Sequence, residues 1–332
     1  MPRKPLARIF RGTPRNLSFL AARLRAGELV AVPTETVYGL AADALNARAC
    51  RKIFSAKGRP TTDPLIVHIA RLADLADIAV PNAAAFTLAK VFWPGPLTMV
   101  LPKNPAVPDL ISAGLPSVAV RMPAHPLFRR LLRLAARPLA APSANLFGYI
   151  SPTTAAHVQA GLGRKIRHIL DGGPAGIGLE STIIDLRDPA HPRLLRPGSI
   201  TRAALSKALG RPVSSPRRRR AATTSAQVSP GQLARHYSPR TPLVLHRRLT
   251  LAKVAAGAAD EAWLFTAKPA GLRGKNVFWL DTRGDLRGAG RRLFAQLRRL
   301  DAAGYRRIHA ETASGDGPAE AINDRLRRAA AR

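Results

Sequence analysis

Residues 117–145 read SVAVRMPAHPLFRRLLRLAARPLAAPSAN, and their pattern predicts a strand, a helix and a second strand. SVAVRMP and LAAPSAN are short apolar runs typical of buried strands, whereas HPLFRRLLRLAAR repeats its apolar residues at helical spacing. The alternation continues outward through residues 1–210, with strand-like ELVAVPT, LIVHIA, LTMVL and ESTIIDL and helix-like PRNLSFLAARLRAG and AAAFTLAKVFW. Residues 1–210 are therefore predicted to form an α/β domain.

Residues 211–240 have the composition of a linker. They contain seven arginines, no acidic residue, four prolines and a cluster of serine and threonine. The pair His236–Tyr237 is unusual for a plain tether, because such side chains normally need a surface to pack against. We therefore expect this linker to fold over another part of the protein.

Residues 241–332 resume the alternation and predict a second, smaller domain. PLVLH, AWLFTA, NVFWLD and RRIHAETA resemble strands, and LTLAKVAAGAA, AGRRLFAQLRRLDAAG and PAEAINDRLRRAAA resemble helices. This order predicts a Rossmann-like α/β domain. The domain has no GxGxxG, so dinucleotide binding is not implied.

Length and composition are typical of a packed globular protein. The chain has 332 residues, of which 46% are hydrophobic, enough for about two domains. The first residues show no apolar signal core, and no apolar run approaches the roughly 20 residues that span a bilayer. We expect a cytoplasmic protein that does not associate with a membrane. The lone Cys50 excludes an internal disulfide and a multi-cysteine zinc site.

The formal net charge of +33 indicates a polyanionic partner such as RNA, or nucleotide substrates. The RRRR run at residues 217–220 favours RNA. An arginine-rich composition with solvated side chains explains the charge equally well, and the sequence leaves both interpretations open. Aromatic residues make up only 5% of the chain, which gives weak support to stacking on exposed bases.

Several enzyme classes are excluded by missing motifs. The chain has no GxxxxGK[ST], no HExxH and no GxSxG, which excludes an ordinary P-loop, a zincin and an esterase elbow. What it carries instead are hydroxyls and cations at the ends of predicted strands, where α/β proteins commonly bind ligands. These motifs are VPTETVYGL, FSAKGRPTTDPLIVH, SVAVRMP, APSAN with the following SPT, GLEST and LLRPGSI.

The cations among these motifs have two possible roles. Lys57 and Arg59 follow a predicted helix and could be a solvated helix end, or they could bind a triphosphate without a P-loop. Arg121 ends a hydrophobic strand and suits a carboxylate. Ser151 could cap a helix whose N-terminus binds an anion, although capping alone would explain it. Together with Arg196, these residues suggest a ligand that is hydroxylated, carboxylated and phosphorylated.

The order PTETVYGL, KGRP, PLIVH, VAVRMP, APSAN, SPT, ESTI, RPG and SPGQLARHYSP resembles the long form of L-threonylcarbamoyladenylate synthases. This family joins a YrdC-like domain, with a twisted mixed sheet, to a C-terminal extension. The resemblance implies three parts: a catalytic domain over residues 1–210, an active-site lid over 211–240 and a Rossmann-like domain over 241–332. It implies that L-threonine, bicarbonate and ATP give threonylcarbamoyl-AMP and pyrophosphate, for threonylcarbamoyl-adenosine (t6A) in tRNA.

Site residues follow from the resemblance, motif by motif. It implies that threonine is held by Thr36, His68, Arg121, Ala141 and Ser181. It implies that ATP is held by Arg59, Asp63, Ser117, Ser143, Asn145, Ser151, Arg196, His236 and Tyr237. The resemblance implies that Lys57 and Arg59 act in catalysis by binding the triphosphate. It also implies that Mg²⁺ takes part, although the sequence does not identify the residues that bind it. The family often has Asn at the position of Asp63 and Thr at that of Ser117.

Two other functions compete with the synthase. A carbamoyl-adenylate former of the hydrogenase-maturation type would also need acylphosphatase and zinc-finger modules, which a chain with one cysteine does not supply. A non-catalytic protein of the same fold that binds double-stranded RNA or tRNA is favoured by the charge alone. For the synthase, further expected partners are tRNA or double-stranded RNA and the downstream threonylcarbamoyl-transferase.

Overall fold

The structure, a computed structural model, describes residues 5–215, 226–231, 236–272 and 274–331. The RRRR run at 217–220, on which part of the RNA prediction depends, lies outside these residues. Within the described ranges, none of the helices has the length and apolar character that crossing a bilayer requires.

Ten strands form one mixed sheet, which confirms the predicted α/β fold with a mixed sheet. In the order β1-β8-β2-β3-β7-β4-β6-β5-β9-β10, β6 pairs parallel with β4 and antiparallel with β5. The strands are β1 (Arg8–Arg11), β2 (Val30–Val32), β3 (Gly39–Asp43), β4 (Ile66–His68), β5 (Leu97–Pro102), β6 (Ser117–Arg121), β7 (Leu139–Ala140), β8 (His168–Asp171), β9 (Thr182–Asp185) and β10 (Arg193–Arg196).

Helices cover both faces of this sheet, because successive side chains of its central strands point to opposite sides. Along β2, Ala31 joins one buried cluster, while Val30 and Val32 join another. The helices are α1 (Pro14–Arg25), α2 (Ala47–Lys57), α3 (Ala83–Phe92), α4 (Asp109–Ser112), α5 (Pro126–Ala135), α6 (Ala155–Leu162) and α7 (Arg202–Leu209). The apolar stripes of α2 and α3 pack on the Ala31 side, and those of α1 and α5 pack on the opposite side.

A second sheet of four strands, all parallel, confirms the predicted Rossmann-like domain. Its strands are β11 (Leu243–His246), β12 (Glu261–Ala267), β13 (Val277–Asp281) and β14 (Arg307–Glu311), in the order β11-β14-β12-β13. Its helices are α8 (Leu251–Ala255), α9 (Leu286–Ala302) and α10 (Pro318–Ala330). At the end of β14, the Glu311 carboxylate accepts the N–H groups of Leu249 and Thr266. These bonds tie together the strand ends at which such sheets usually bind nucleotides.

The two sheets are joined through a shared apolar cluster. Val37, Ile150 and Leu179 from the first domain pack with Tyr237 and with the inner faces of α9 and α10. The backbones come close enough that Gly178, at φ +78°, could not carry a Cβ, which would lie 2.3 Å from the carbonyl oxygen of Arg291. The C-terminal domain therefore packs against loops of the first domain and is not joined to it by the linker alone.

Candidate active site

A small cavity lies beside the ends of β4 and β6, between the loops of the first domain and the segment that contains His236 and Tyr237. Its free volume is about 50 Å³, well below the roughly 300–1,000 Å³ of typical ligand pockets. Its walls are Thr34, Thr36, Val37, Gly39, Arg59, Ile66, His68, Arg121, Ala141, Pro142, Ser143, Glu180, Ser181, Arg196, Pro230, Gly231, His236 and Tyr237.

Most of the sequence-derived site residues meet in this cavity. All five residues that the resemblance implies for threonine lie in its walls: Thr36, His68, Arg121, Ala141 and Ser181. Of the residues implied for ATP, the walls contain Arg59, Ser143, Arg196, His236 and Tyr237. The remaining four, Asp63, Ser117, Asn145 and Ser151, and the predicted catalytic residue Lys57 are buried but are not among the wall residues.

Arg121 organises one end of the cavity. It is the last residue of β6, and its Nη1 donates to Thr36 Oγ1 at 3.0 Å while its Nε donates to the Gly95 carbonyl at 3.2 Å. Thr34 fixes the turn that presents Thr36, because its hydroxyl accepts the N–H groups of Thr36 and Val37. Nη2 of Arg121 lies 2.7 Å from Glu35 Oε1, an ion pair that lacks hydrogen-bond geometry. Nη2 is therefore a buried donor without an acceptor in the described structure, which suits a carboxylate ligand.

The charges around Arg121 set the protonation of its neighbours. Burial would raise the pKa of Glu35, but Arg121 outweighs it and keeps that pKa below its usual value. His68 is the register partner of Arg121 on the adjacent parallel strand. Burial, followed by the charge of Arg121, lowers the pKa of His68 to about 3. This end of the cavity therefore holds a neutral imidazole beside an ionised Arg–Glu pair.

The buried histidines should make the protein less stable in mild acid. The pKa of His68 falls from 6.5 to about 3 on folding, and burial also holds that of His236 well below 6.5. Below pH 6.5 the unfolded chain therefore binds protons that the folded chain does not, so stability is full above pH 6.5 and falls on acidification. Each such histidine contributes a slope of about 1.4 kcal/mol per pH unit. Urea unfolding between pH 7 and 5 should show that the free energy of unfolding decreases with this slope. In His68→Gln the slope should be smaller by the contribution of one histidine. The same slope in His68→Gln and the wild type would mean that folding does not change the pKa of His68.

A second group of charges lies around Arg59, just after the end of α2. The Arg59 guanidinium donates to the carbonyls of Asp63 and Pro64 at 2.9 and 2.7 Å, and it lies 3.0 Å from the Asp63 carboxylate. Burial raises the pKa of Asp63, although Arg59 and Lys57 oppose it. Both Asp63 carboxylate oxygens are buried without a hydrogen bond in the described structure. This carboxylate therefore has lone pairs available for a cation or a ligand donor.

Lys57 is buried, not solvated, so the interpretation of FSAKGRP as a hydrated helix end is wrong. The helix ends as predicted, with Gly58 in the left-handed region at φ +63°. The Lys57 ammonium donates to the carbonyls of Ser143 and Asn145 at 2.5 and 2.6 Å. Burial and then the charge of Arg59 hold the pKa of Lys57 well below its usual value. In this structure Lys57 fixes the loop behind Ser143, and its predicted contact with phosphate stays a prediction.

Arg196 holds the strand end that carries Ser181. Its Nε donates to the Ser181 carbonyl and its Nη2 to the Ser181 hydroxyl, both at 3.0 Å. The same hydroxyl lies 2.7 Å from Thr98 Oγ1. Gly198, in the RPG motif, must be glycine because a Cβ there would lie 2.5 Å from the amide nitrogen of Thr182. The close approach of Gly198 to Thr182 keeps Arg196 beside Ser181.

Ser151 does not cap a helix, and this prediction is wrong. α6 begins at Ala155, and Thr154 caps it by accepting the His157 N–H. The Ser151 hydroxyl instead donates to Glu180 at 2.5 Å. Ser117, the first residue of β6, has a buried hydroxyl without a partner in the described structure and lies outside the cavity walls. Ser151 therefore does not provide the anion-binding helix N-terminus that the sequence suggested, and the predicted contact of Ser117 with ATP stays a prediction.

The segment with His236 and Tyr237 is folded into the site. Tyr237 is fully buried at φ +62°, its ring packs 5.4 Å from that of Phe294, and its hydroxyl has no partner in the described structure. The His236 ring lies edge-on to Tyr237 at 4.1 Å. Ser238 anchors the following residues by donating its N–H to the Gly148 carbonyl at 2.8 Å. The surface that this linker needed is thus the cavity itself.

Several buried polar atoms at this site have no hydrogen bond in the described structure. Native interiors satisfy nearly all buried polar groups, so such a set of atoms indicates a ligand-binding site. Among the sequence-derived residues, buried atoms without a hydrogen bond in the described structure belong to His68, Arg121, His236 and Tyr237 in the cavity walls and to Asp63, Ser117 and Asn145 outside them. Sequence reasoning missed Glu35 and Glu180, although both stand inside quoted motifs, PTET and LEST. Their signal was an acid next to the hydroxyls that define each motif.

Family models and full-length relatives match this chain over most of its length. A Sua5/YciO/YrdC family model described as "Telomere recombination" matches residues 22–198, and one described as the C-terminal domain of threonylcarbamoyl-AMP synthase matches residues 200–331. The threonylcarbamoyl-AMP synthase of Pyrococcus abyssi is 42% identical over 324 residues, 93% of this chain and 92% of that protein.

Two structures of the P. abyssi protein match almost the whole chain. The crystal structure with L-threonine has a TM-score of 0.89 at 38% identity and covers 98% of both chains. A variant in which an adjacent His and Tyr are both replaced by Ala has a TM-score of 0.88 at 37% identity, over 98% of this chain and 96% of that one. This chain therefore belongs to the threonylcarbamoyl-AMP synthase family, in the form that joins a YrdC-like domain to the C-terminal domain of the family.

Proposed function

We propose that this enzyme makes threonylcarbamoyl-AMP and pyrophosphate from L-threonine, bicarbonate and ATP, for t6A modification of tRNA. The observation that carries the proposal is the arrangement of the cavity. Arg121 Nη2, which is in an ion pair with Glu35 but has no hydrogen-bond acceptor in the described structure, stands beside hydroxyls at one end, and Arg59 and Arg196 stand in its other walls. A carboxylated, hydroxylated amino acid and a polyphosphate would be bound by these two sets of groups.

At the threonine end, the substrate carboxylate would lie on Arg121. Its guanidinium is already oriented by bonds to Thr36 and Gly95, so little side-chain freedom is lost on binding. The substrate hydroxyl and amine would meet neutral acceptors, since His68 is uncharged and its buried Nδ1 has no partner in the described structure. A neutral His68 also avoids placing a second cation against the ammonium group of threonine.

At the nucleotide end, Arg59 and Arg196 would face the phosphates. Mg²⁺ in nucleotide sites is usually bound by one or two carboxylates together with the phosphates, and not by an all-protein cage. Asp63 fits this role because both its carboxylate oxygens lack hydrogen bonds in the described structure. This assignment would also explain why an acid beside the phosphates is tolerated where relatives often have Asn. When bound, Mg²⁺ would offset charge on the reacting phosphate.

The reaction needs no protein nucleophile. The threonine amine and bicarbonate give a carbamate with loss of water, and a carbamate oxygen then attacks the α-phosphorus of ATP. The bond from that phosphorus to the bridging oxygen breaks, and pyrophosphate leaves with its electron pair. Arg59 and Arg196 would stabilise the charge that develops, and the fixed Arg121 would hold the carbamate in line.

The segment of Pro230, Gly231, His236 and Tyr237 would act as a lid. These residues form walls of a cavity whose free volume, about 50 Å³, cannot admit ATP. We infer that the segment moves away for substrate entry and returns to exclude water from the product, a mixed anhydride that water destroys. The chain has one adjacent His–Tyr pair, and we take it as the counterpart of the pair replaced in the P. abyssi variant. The product would then pass to the transferase that modifies tRNA.

Pyrophosphate release from ATP by the purified protein tests this function. Release should require both L-threonine and bicarbonate, and L-serine should support it less well because it lacks the methyl group that would gain apolar contacts in the cavity. Carbamoyl phosphate is the matched control substrate for a hydrogenase-maturation activity. Release with carbamoyl phosphate and without threonine would refute the proposal, and so would failure of every substrate combination to release pyrophosphate.

A further inference from the structure

A groove beside α3 is separate from the active site. We name this groove, together with the exposed face of α3, the α3 patch. The volume of the groove is about 370 Å³, and it shares no wall residue with the cavity described above. It is lined by Ala83, Ala84, Thr87, Pro189, Ala190, Leu209 and Arg211. Its one charged side chain, Arg211, donates to the Pro189 carbonyl at 3.2 Å, so the groove mainly offers small apolar surface.

The outer face of α3 is largely apolar. Residues 83, 86, 87, 90 and 91 follow the i, i+3, i+4, i+7, i+8 pattern and are all exposed, whereas Ala85, Leu88 and Ala89 are buried against the first domain. Phe86 is 48% exposed and Val91 is 58% exposed. A helix that is apolar on both sides normally packs against other structure on both sides. The outer face therefore indicates that α3 packs against a further partner.

This part of the sequence also lacks the positive charge of the rest. Residues 72–120 contain no arginine, two lysines and three aspartates, a formal charge of −1 in a chain of +33. The exposed face of α5, in contrast, carries Arg130 and Arg133. A general bias toward arginine would have placed arginine on α3 as well, so such a bias does not explain its neutral face. Apolar surface that is depleted of charge is typical of the centre of a protein–protein interface.

We propose that the α3 patch binds a second copy of this chain across a two-fold axis. Two chains that each carry +33 repel each other, so they can approach closely only where the local charge is low. In a two-fold contact the same surface meets itself and must be self-complementary. The patch meets this requirement, because it combines the projecting side chains of Phe86 and Val91 with a hollow that would receive an apolar side chain of the second copy.

Association through this patch would also support the threonine end of the cavity. α3 ends at Phe92, and three residues later the Gly95 carbonyl accepts a hydrogen bond from Arg121 Nε at 3.2 Å. A helix that packs against a second copy would therefore stabilise the segment that orients Arg121. The proposal does not depend on the reaction, because no residue of the patch lies in the cavity walls.

The test is the oligomeric state of the full-length protein. Sedimentation velocity between about 1 and 100 μM should show an equilibrium of monomer and dimer with a micromolar or lower Kd. The Kd should fall between about 50 and 500 mM KCl, because salt screens the repulsion between the two basic chains. A contact that depended on ion pairs would weaken over the same range of salt concentration.

The patch variant is Phe86→Arg, Val91→Arg, which adds to this face the positive charge that it lacks. Its matched control is Leu134→Arg, Leu251→Arg, which adds the same charge at exposed apolar positions on α5 and α8. The patch variant should raise the Kd at least about tenfold, because an aromatic anchor is lost, and the control should stay within about threefold of the wild type. If urea unfolding shows that the patch variant does not fold, Phe86→Gln alone should raise the Kd by about fivefold or more.

An engineered disulfide would locate the contact. Thr87 is the middle residue of the exposed stripe, so the two cysteines of Thr87→Cys would lie near the two-fold axis and should form an intermolecular disulfide under oxidising conditions. Leu134→Cys, at an exposed position on α5, is the control and should not form one. The native Cys50 is buried and does not compete.

Three results would overturn the proposal. A wild-type chain that stays monomeric at about 100 μM in both salt concentrations would show that the patch does not bind a second copy. A dimer that the patch variant does not weaken, or that the control variant weakens equally, would use another surface. A dimer in which Thr87→Cys forms no intermolecular disulfide would not have its two-fold axis at α3.

Discussion

Replacing Arg121 by alanine is expected to raise the KM for L-threonine by about 100-fold or more while leaving ATP binding nearly unchanged. The variant removes a buried planar fork whose Nη2 has no hydrogen-bond acceptor in the described structure. Two charge-assisted bonds to a substrate carboxylate, each contributing about 1.5 kcal/mol or more, give a loss of this size. Initial-rate kinetics with threonine and ATP varied separately, together with calorimetric threonine binding, would measure it.

The controls separate substrate binding from stability. Arg121→Lys keeps the charge but loses the fork, so its defect should be smaller, about tenfold. Arg121→Ala leaves the Glu35 carboxylate, 15% exposed, without its counter-charge and should also destabilise the fold. Adding Glu35→Gln should restore stability without restoring threonine affinity. A threonine affinity of Arg121→Ala within about threefold of the wild type would refute the assignment of the carboxylate to Arg121.

The strongly periodic elements could be predicted from sequence, because burial decides them. α5 repeats Phe128, Leu131, Leu132 and Ala135 along one buried stripe, and β6 is buried throughout, with an apolar run at its centre. The central strand β3 was missed. Its residues GLAAD are fully buried, yet glycine and alanine have little intrinsic strand preference. The neighbours β2 and β7, not its own sequence, make it a strand.

The candidate site was predicted best where a motif adjoins a strand. Arg121 is the last residue of β6, Ser181 directly precedes β9 and Thr36 lies in the turn between β2 and β3, and the fold brings all three into the cavity walls. The error at Ser151 has a local cause: Thr154, closer to the helix, supplies the cap. The buried state of Lys57 could not be read from its neighbours, because the carbonyls that hold it come from residues 143 and 145.

Arg325 was missed although the sequence contains a signal for it. α10 is rich in arginine, and most of its charges could simply face solvent. Ile322, Leu326 and Ala329 form its apolar stripe, and Arg325 occupies the same stripe at helical spacing. An arginine inside an apolar stripe needs a buried partner. The partner is Glu180, which is 145 residues away and belongs to the other domain.

Arg325 supports the active site from behind. It is fully buried, and its Nε donates to Glu180 Oε2 at 2.9 Å while its Nη1 donates to the Pro197 carbonyl at 2.7 Å. Glu180 directly precedes Ser181, and Pro197 directly follows Arg196. In the cavity, Arg196 donates hydrogen bonds to Ser181. The Arg325 guanidinium also lies 5.4 Å from the centre of the Tyr237 ring. One side chain of the C-terminal domain thus contacts the supports of Ser181 and Arg196 as well as the lid.

We therefore expect Arg325→Met to lower both stability and catalysis. Removal of the cation leaves the Glu180 carboxylate buried without compensation, at a cost of about 3 kcal/mol in the free energy of unfolding. The rate kcat should fall by about tenfold to 100-fold, because the strand ends that hold Ser181 and Arg196 lose their fixed positions. Urea unfolding and pyrophosphate release, measured at a temperature where the variant is folded, give the two quantities.

A double variant distinguishes a positioning role from a merely stabilising one. In Arg325→Met with Glu180→Gln the uncompensated charge is gone, so most of the lost stability should return. The catalytic defect should remain, because neither the Pro197 carbonyl nor the Tyr237 ring regains its contact with the Arg325 guanidinium. Arg325→Lys, which keeps the charge near Glu180, should recover part of kcat. If kcat recovered together with stability in the double variant, Arg325 would only stabilise the fold, and the C-terminal domain would influence the reaction through its apolar contact with the lid alone.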